Sequence, residues 1–184
     1  MSGQITQREL ESYLWGAAIV LRGLIDAGDY KQYIFPLVFL KRISDVYDEE
    51  HAAALATYGD EELADLPENH RFAIPNGCHW DDVRSATENI GATILKAMRA
   101  IESANPDTLP GVFGDGDWGN KNLLPDSTLA DLIEHFYCRK CFEAGRYAFS
   151  LMFTVTPDYD RAMREKDYIG VPDKHRKPAL RRVK

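Results

Sequence analysis

The first 27 residues constrain the fold more than any other stretch. Leu10, Leu14, Ala17, Leu21 and Leu24 recur at steps of four and three, and Tyr13, Ala18 and Ile25 widen that stripe to a full helix face. Glu9, Glu11, Ser12, Arg22 and Asp26 fall on the other faces. A helix with so broad an apolar face must be covered by other elements, so the chain has to build a bundle around it. Thr6 and Glu9 have capping-box spacing, with each side chain positioned to satisfy an orphan amide at the helix start. The pattern predicts a helix from about Thr6 to Ala27, ended by Gly28, with Asp29 capping the next.

The second helix is predicted from about Tyr30 to Tyr58. Tyr30, Tyr33, Leu37 and Leu40 form one stripe, Ile34 and Val38 an adjoining one, and Phe35–Leu40 is apolar all round, which requires burial on several sides. Pro36 removes a backbone hydrogen bond there and predicts a kink or local break. Beyond Asp45 the sequence turns acidic, as a solvated helix end and a loop would. Residues 66–84 read as irregular, with Arg71–Ile74 a short strand or extended strap and Trp80 its anchor. A third helix, capped by Asp81 or Asp82, is predicted from about Val83 to Ser103 on the stripe Val83, Ile90, Ile94, Ala97, Met98 and Ile101, with Pro106 as its stop. Residues 105–125 form a Gly/Pro/Asp-rich loop carrying Leu109, Val112, Phe113 and Trp118. Asp126 then caps a fourth helix with Leu129, Leu132, Ile133 and Phe136 on one face. The expected fold is all-α: a small bundle of about four main helices, a short extended strap and an irregular C-terminal tail. Its core is expected to include Leu14, Leu21, Tyr33, Leu37, Leu40, Trp80, Ile94 and Phe136.

Charge divides the chain in two. Residues 1–135 hold 10 Lys/Arg and 23 Asp/Glu, whereas residues 136–184 hold 12 and 6. The acidic body argues against nucleic-acid binding through a broad electrostatic footprint, while leaving room for a local contact inside a larger assembly. The longest apolar run, Ile34 to Leu40, has seven residues, too few to cross a bilayer, and Met1–Gln7 lacks the pattern of a signal peptide. Three cysteines do not make a disulfide scaffold. A reduced, cytoplasmic protein without membrane contact is expected.

From Leu14 to Glu50 the details become more specific than a generic bundle. Leu14-Trp15, Leu21-Arg22-Gly23, Asp26, Tyr30-Lys31 and Phe39-Leu40-Lys41-Arg42-Ile43-Ser44-Asp45 occur in order. They are followed by Arg71-Phe72 with Pro75, His79-Trp80, Ile90-Gly91, Gly111-Val112-Phe113, Leu124-Pro125-Asp126 and Asp131–Phe136. This succession resembles the N-terminal domain of the modification subunit of type I restriction–modification systems, over residues 1–136 of the chain. The resemblance implies a helical domain preceding an S-adenosylmethionine-dependent methyltransferase domain. The intact subunit would methylate adenine N6 in a specific DNA sequence chosen by a specificity subunit, with a restriction subunit able to join. The helical domain would pack beside the catalytic one, contact the other subunits and help enclose DNA.

The sequence also departs from the complete subunit. The Gly-rich turn after a first strand, which lets backbone approach the cofactor, and the Asn-Pro-Pro-Phe-type motif that holds a flipped adenine are both missing. The glycines of Gly111–Gly119 lack a strand–helix context and read as a loop. No catalytic residue, cofactor-binding residue or metal ligand is therefore assigned, S-adenosylmethionine belongs to the intact family member, and the chain alone is not expected to methylate DNA. From Tyr137 the family pattern stops where the charge changes sign. Residues 137–184 read either as a frame-shifted end of a longer gene, which the abrupt composition shift favours, or as a divergent tail that binds something acidic. A stand-alone, basic-tailed protein that binds nucleic acid or the restriction complex is the alternative function.

Four cations are candidate DNA-phosphate contacts: Arg22, Lys31, Lys41 and Arg42. Pairing of Lys41 and Arg42 with Asp45 along the helix is the competing reading. Trp15 is either core or a docking surface for the catalytic domain. Cys138 and Cys141 form a CxxC that would need Cys78 and His79 to complete a zinc site. Without a second CxxC, two ordinary thiols are the simpler reading. His51, His70 and His135 lie far apart in sequence and suggest no triad.

Overall fold

The protein is represented by a computed structural model that describes residues 7–137. Six helices appear in order among the described residues, and no strand does: α1 (Gln7–Leu21), α2 (Lys31–Tyr58), α3 (Glu61–Ala64), α4 (Trp80–Ser85), α5 (Ile90–Ala104) and α6 (Asp126–Tyr137), with a 3-10 turn at Pro67–Asn69 before α4. The four long helices, α1, α2, α5 and α6, are the expected bundle. The capping pair Thr6–Glu9 and the tail lie outside the described residues or side chains.

α2 and α6 are the hubs. α2 packs against α1, α3, α4 and α6, and α6 against α1, α2, α4 and α5. That arrangement explains why Phe35–Leu40 carries no polar face: Leu37 and Leu40 are fully buried, and Val38 and Phe39 nearly so. Of the expected kink or local break at Pro36, the break does not occur: the helix is continuous through this buried residue. Proline has no N–H for the Gln32 carbonyl one turn earlier. That oxygen lies against the loop at Gly116, only 3.1 Å from where a Cβ would sit.

α1 ends earlier than its stripe suggests. Gly23 adopts a left-handed conformation (φ +85°), and the amides of Leu24 and Ile25 turn back onto the Leu21 carbonyl at 3.2 and 3.3 Å. Ile25 is thereby buried, while Leu24, expected in the core, is 39% exposed. The helical repeat no longer applies beyond Leu21. Asp29 does not cap α2 with its side chain; its carboxylate accepts from the Gln32 side-chain amide instead.

The predicted third helix is two helices. Ala86–Asn89 separates α4 from α5, and Asn89 turns the chain with φ +52°, a conformation asparagine tolerates better than most residues. α4 is opened by Asp82, whose carboxylate accepts from the His79 amide at 3.0 Å. α5 is opened from outside: Asp126 accepts from the amides of Asn89 (3.1 Å) and Ile90 (3.0 Å). Asp126 thus caps its neighbour rather than simply starting its own helix. A hydrogen bond from Lys121, then those two amides, hold its carboxyl below the usual range.

The Gly/Pro/Asp-rich loop is part of the core. Trp118 and Phe113 are, with Phe136, the largest fully buried side chains among the described residues. The Trp118 carbonyl presses on α5 so closely that a Cβ on Gly91 would lie 1.8 Å from it. The strap Arg71–Ile74 forms no strand and bends at Arg71 and Phe72, yet at Ala73 it is held as a strand would be. The Asn105 side chain accepts from the Ala73 amide (2.9 Å) and donates to the Ala73 carbonyl (2.8 Å), imitating a neighbouring strand.

α1 and α6 lock reciprocally. The Tyr13 hydroxyl donates to the His135 carbonyl at 3.1 Å, and His135 Nε2 donates to the Tyr13 carbonyl at 3.0 Å with the rings stacked. A carbonyl can only accept, so Nε2 carries the proton. Gly16 leaves room for that ring; a Cβ there would be 2.6 Å from His135 Cε1.

Gly91→Ala gains about 1 kcal/mol of helix propensity but sets a methyl group against backbone that cannot swing aside. The expected net result is a loss of about 2 kcal/mol or more, read as a lower urea midpoint. The Asp126 carboxyl is held low in the folded state, so its contribution is present above the unfolded carboxyl range and disappears as pH falls through the folded pKa. Asp126→Asn is expected to speed hydrogen exchange at Asn89 and Ile90 at neutral pH and to match the parent at strongly acidic pH.

Candidate nucleic-acid and domain interface

The four candidate cations fall into two environments. Lys41 and Arg42 are on the middle turns of α2, where the surrounding positions are buried. Lys41 ion-pairs with Asp45 one turn on, as the spacing suggested, and its ammonium lies 5.9 Å from the centre of the Trp80 ring. Arg42 reaches Glu49 at 3.0 Å, two turns along. The side chains of Lys41 and Asp45 are only 14% and 10% exposed. Burial pushes the Asp45 carboxyl above its ordinary range, against the lowering effects of Lys41 and Arg42. The Trp80 amide donates to the Ser44 hydroxyl at 2.9 Å, so this charged knot sits where α4 is anchored on α2.

Arg22 and Lys31 flank the turn between α1 and α2. Arg22 is exposed and lies over Trp15, 5.6 Å from the ring centre; Lys31 is half-buried at the first position of α2. The early amides of α2 are already engaged: Gln32 donates to the Asp29 carbonyl, and Tyr33 and Ile34 donate to the Tyr30 carbonyl. Phosphate contact here would therefore rest on the side chains and not on the helix terminus. Beside Arg22, α1 leaves Ile19 half exposed, and Trp15 is half-buried one turn before it. Leu24, in the turn after α1, is a second exposed apolar side chain near Arg22, and Trp15 also packs against the core.

Sequence spacing missed a cluster of rings. Tyr47 and His51, one turn apart on α2, meet His70, which follows the 3-10 turn, and His79, which precedes α4. The Tyr47 and His70 rings stack at 3.8 Å between centres, His51 and His70 are 6.1 Å apart, and His79 meets Tyr47 edge-on at 4.9 Å. His51 Nε2 lies 3.2 Å from Glu61 and 3.1 Å from Asp65, fastening α3 to α2. Burial, then the Asp65 charge and hydrogen bond, raise the Tyr47 hydroxyl pKa. His135 belongs elsewhere, in the α1–α6 lock. The only sequence signal was the i, i+4 spacing of Tyr47 and His51.

Cys78 is buried, and burial pushes its thiol up. Cys138 and Cys141 lie outside the described residues, and no group of three His, Cys, Asp or Glu side chains among the described residues is arranged to hold a metal ion. The glycine loop does not fit S-adenosylmethionine. Its interior is filled by Phe113 and Trp118, its Gly116 abuts the Gln32 carbonyl, and its glycines at positive φ, Gly111 and Gly114, serve turns. No helix among the described residues is long and apolar enough to cross a membrane.

The family described as the HsdM N-terminal domain matches residues 10–136. The chain belongs to that family. The match spans α1 to the last turn of α6, including the loop that plugs the core and the strap held by Asn105. The chain therefore carries the N-terminal region of a type I restriction–modification modification subunit, a subunit whose catalytic part uses S-adenosylmethionine. A comparison with curated proteins returns no match.

Lys41→Met leaves the Asp45 carboxylate buried without its cation. The expected cost at neutral pH is about 3 kcal/mol, read by urea unfolding. Asp45 is already raised by burial, so the deficit should shrink as the pH is lowered through the carboxylate range and Asp45 takes up a proton. A deficit independent of pH would mean that Lys41 contributes packing and not charge.

Proposed function

We propose that this chain provides a docking and DNA-enclosing domain for an adenine-N6 methyltransferase subunit, without performing methyl transfer itself. The observation that carries the reading is the family match over residues 10–136. On this reading Trp15 and Ile19 of α1, with Leu24 in the turn that follows, receive the catalytic domain, and Arg22 and Lys31 meet the DNA backbone. Lys41 and Arg42, engaged with Asp45 and Glu49, contribute to a DNA contact only if those pairs open. Ile19 and Leu24 in water cost free energy that a partner surface would recover. S-adenosylmethionine, adenine and the sequence-reading surface lie on other parts of the complex: the catalytic domain and the specificity subunit, with the restriction subunit joining the cytoplasmic assembly. Residues 1–136 form this domain, and 137–184 are a separate basic tail.

A second reading rests on the charge division. With 12 Lys/Arg and 6 Asp/Glu over residues 136–184, the tail can hold a polyanion by counterion release, making the chain a stand-alone binder of nucleic acid or of the restriction complex.

Incubated with DNA and labelled S-adenosylmethionine, the purified chain is expected to transfer no methyl group; transfer would overturn the first reading. Added to the catalytic domain of a type I modification subunit, the parent chain is expected to bind and Ile19→Asp to bind about tenfold more weakly. If Arg22 and Lys31 carry the DNA contact, Arg22→Ala with Lys31→Ala lowers the salt dependence of DNA binding by about two counterions. If neutralising the tail cations removes that dependence while the α1 variants leave it intact, the second reading holds.

A further inference from the structure

The end of the bundle formed by the last turns of α2, α3 and the 3-10 turn is rich in carboxylates, of which Glu49 and Glu50 are paired with the flanking Arg42 and Arg71. Between Arg42 and Arg71 there is no Lys or Arg, while Asp48, Glu49, Glu50, Asp60, Glu61, Glu62, Asp65 and Glu68 all fall beyond Asp45. Within this acidic surface Tyr58, Leu63 and Leu66 are 52%, 44% and 44% exposed, half of the large exposed hydrophobics among the described residues. A shallow groove between α2 and the turn, lined by Glu50, Ala53, Thr57, Tyr58 and Asn69, adjoins them. Asn69 fixes one wall by donating to the Leu63 and Ala64 carbonyls at 2.8 and 3.4 Å. Apolar side chains ringed by carboxylates suit a segment that is basic and carries apolar residues of its own.

The chain contains such a segment. The whole positive excess of the tail lies in residues 161–184, which hold nine Lys/Arg against three Asp/Glu, interspersed with Tyr168, Ile169, Val171, Leu180 and Val183. Through α4, its point of departure is linked to the near end of the acidic stretch. α6 ends at Tyr137, whose ring carries the Arg84 guanidinium at 3.5 Å. Arg84 belongs to α4, the short helix whose Asp81 acts on Asp48 and whose preceding His79 meets Tyr47. The residues between Tyr137 and Arg161 can span up to about 75 Å when extended, more than enough to reach round one short helix. Tethering also raises the segment's effective concentration to about the millimolar range, so modest charge pairing suffices.

We propose that residues 161–184 dock on the acidic, apolar-centred surface of Tyr58, Leu63 and Leu66 in the same chain. Occupancy would cover those side chains and mask the tail's cations from other polyanions.

The test is zero-length carbodiimide cross-linking of the full chain at low concentration, with the linked peptides mapped by mass spectrometry. Lys166, Lys174, Lys177 and Lys184 are expected to link to Glu61, Glu62, Asp65 and Glu68 within monomers. The Lys121–Asp126 pair, 3.1 Å apart, serves as internal reference. Relative to that reference, tail links should fall several-fold in about 0.5 M NaCl and in Glu62→Gln/Glu68→Gln, a variant of two exposed side chains. Leu66→Ser should reduce them at unchanged charge. Tail links spread evenly over the body's carboxylates, or insensitive to Glu62→Gln/Glu68→Gln, overturn the proposal. Links found mainly in dimers and rising with concentration also overturn it, assigning the surface to a second copy.

Discussion

The fold depends on the contact between the Trp118 backbone and α5 at Gly91. The loop that carries Trp118 has no regular structure to direct it, yet it brings two of the largest side chains of the core, Trp118 and Phe113, into the space between helices. Only a residue without a Cβ permits the Trp118 carbonyl to come so near. With that approach, the indole packs edge-to-face with the Tyr33 ring, 5.2 Å between centres, and the loop seats Gly116 over the carbonyl that Pro36 leaves without its helical donor. A proline in α2, a glycine in α5 and an aromatic residue in the loop are thus parts of one packing solution.

Polar groups then align the elements that the core alone would leave free to slide. Asn105 replaces a strand partner for the strap, Asp126 supplies a cap to α5, Ser44 receives the first amide of α4, and His51 holds α3. Each joins separate elements, and the Asn105 and Ser44 bonds satisfy backbone groups that would otherwise be costly to bury. Among the described residues, His51, His70 and His79 gather at the α2–α3 end while His135 joins α1 to α6.

Periodicity read the long helices and most of the core because it reports which face is covered. Leu21, Leu37, Leu40, Ile94 and Phe136 are buried as their stripes required. It misjudged Leu24 because the stripe persists in sequence after Gly23 has turned the chain, and it fused α4 with α5 because Val83 and Ile90 remain in phase across the break. The role of Asp126 was hidden since a cap is normally sought on its own helix. The placement of Lys41 was half legible: the i, i+4 carboxylate was visible, whereas burial of the pair depends on Trp80, which arrives from a separate element. The outward face of Ile19 could not be separated from the inward face by pattern, because both are apolar.

The clasp between Tyr13 and His135 joins residues 122 positions apart. During synthesis, the apolar face of α1 therefore emerges well before the helix that closes over it. At ordinary rates of translation the interval is on the order of ten seconds. Until α6 leaves the ribosome, α1 can shelter only against α2, which follows it directly. The N-terminal helix is the first element made and among the last to find its permanent neighbours, so a nascent chain halted inside the Trp118 loop would present α1 to whatever chaperone or partner is near.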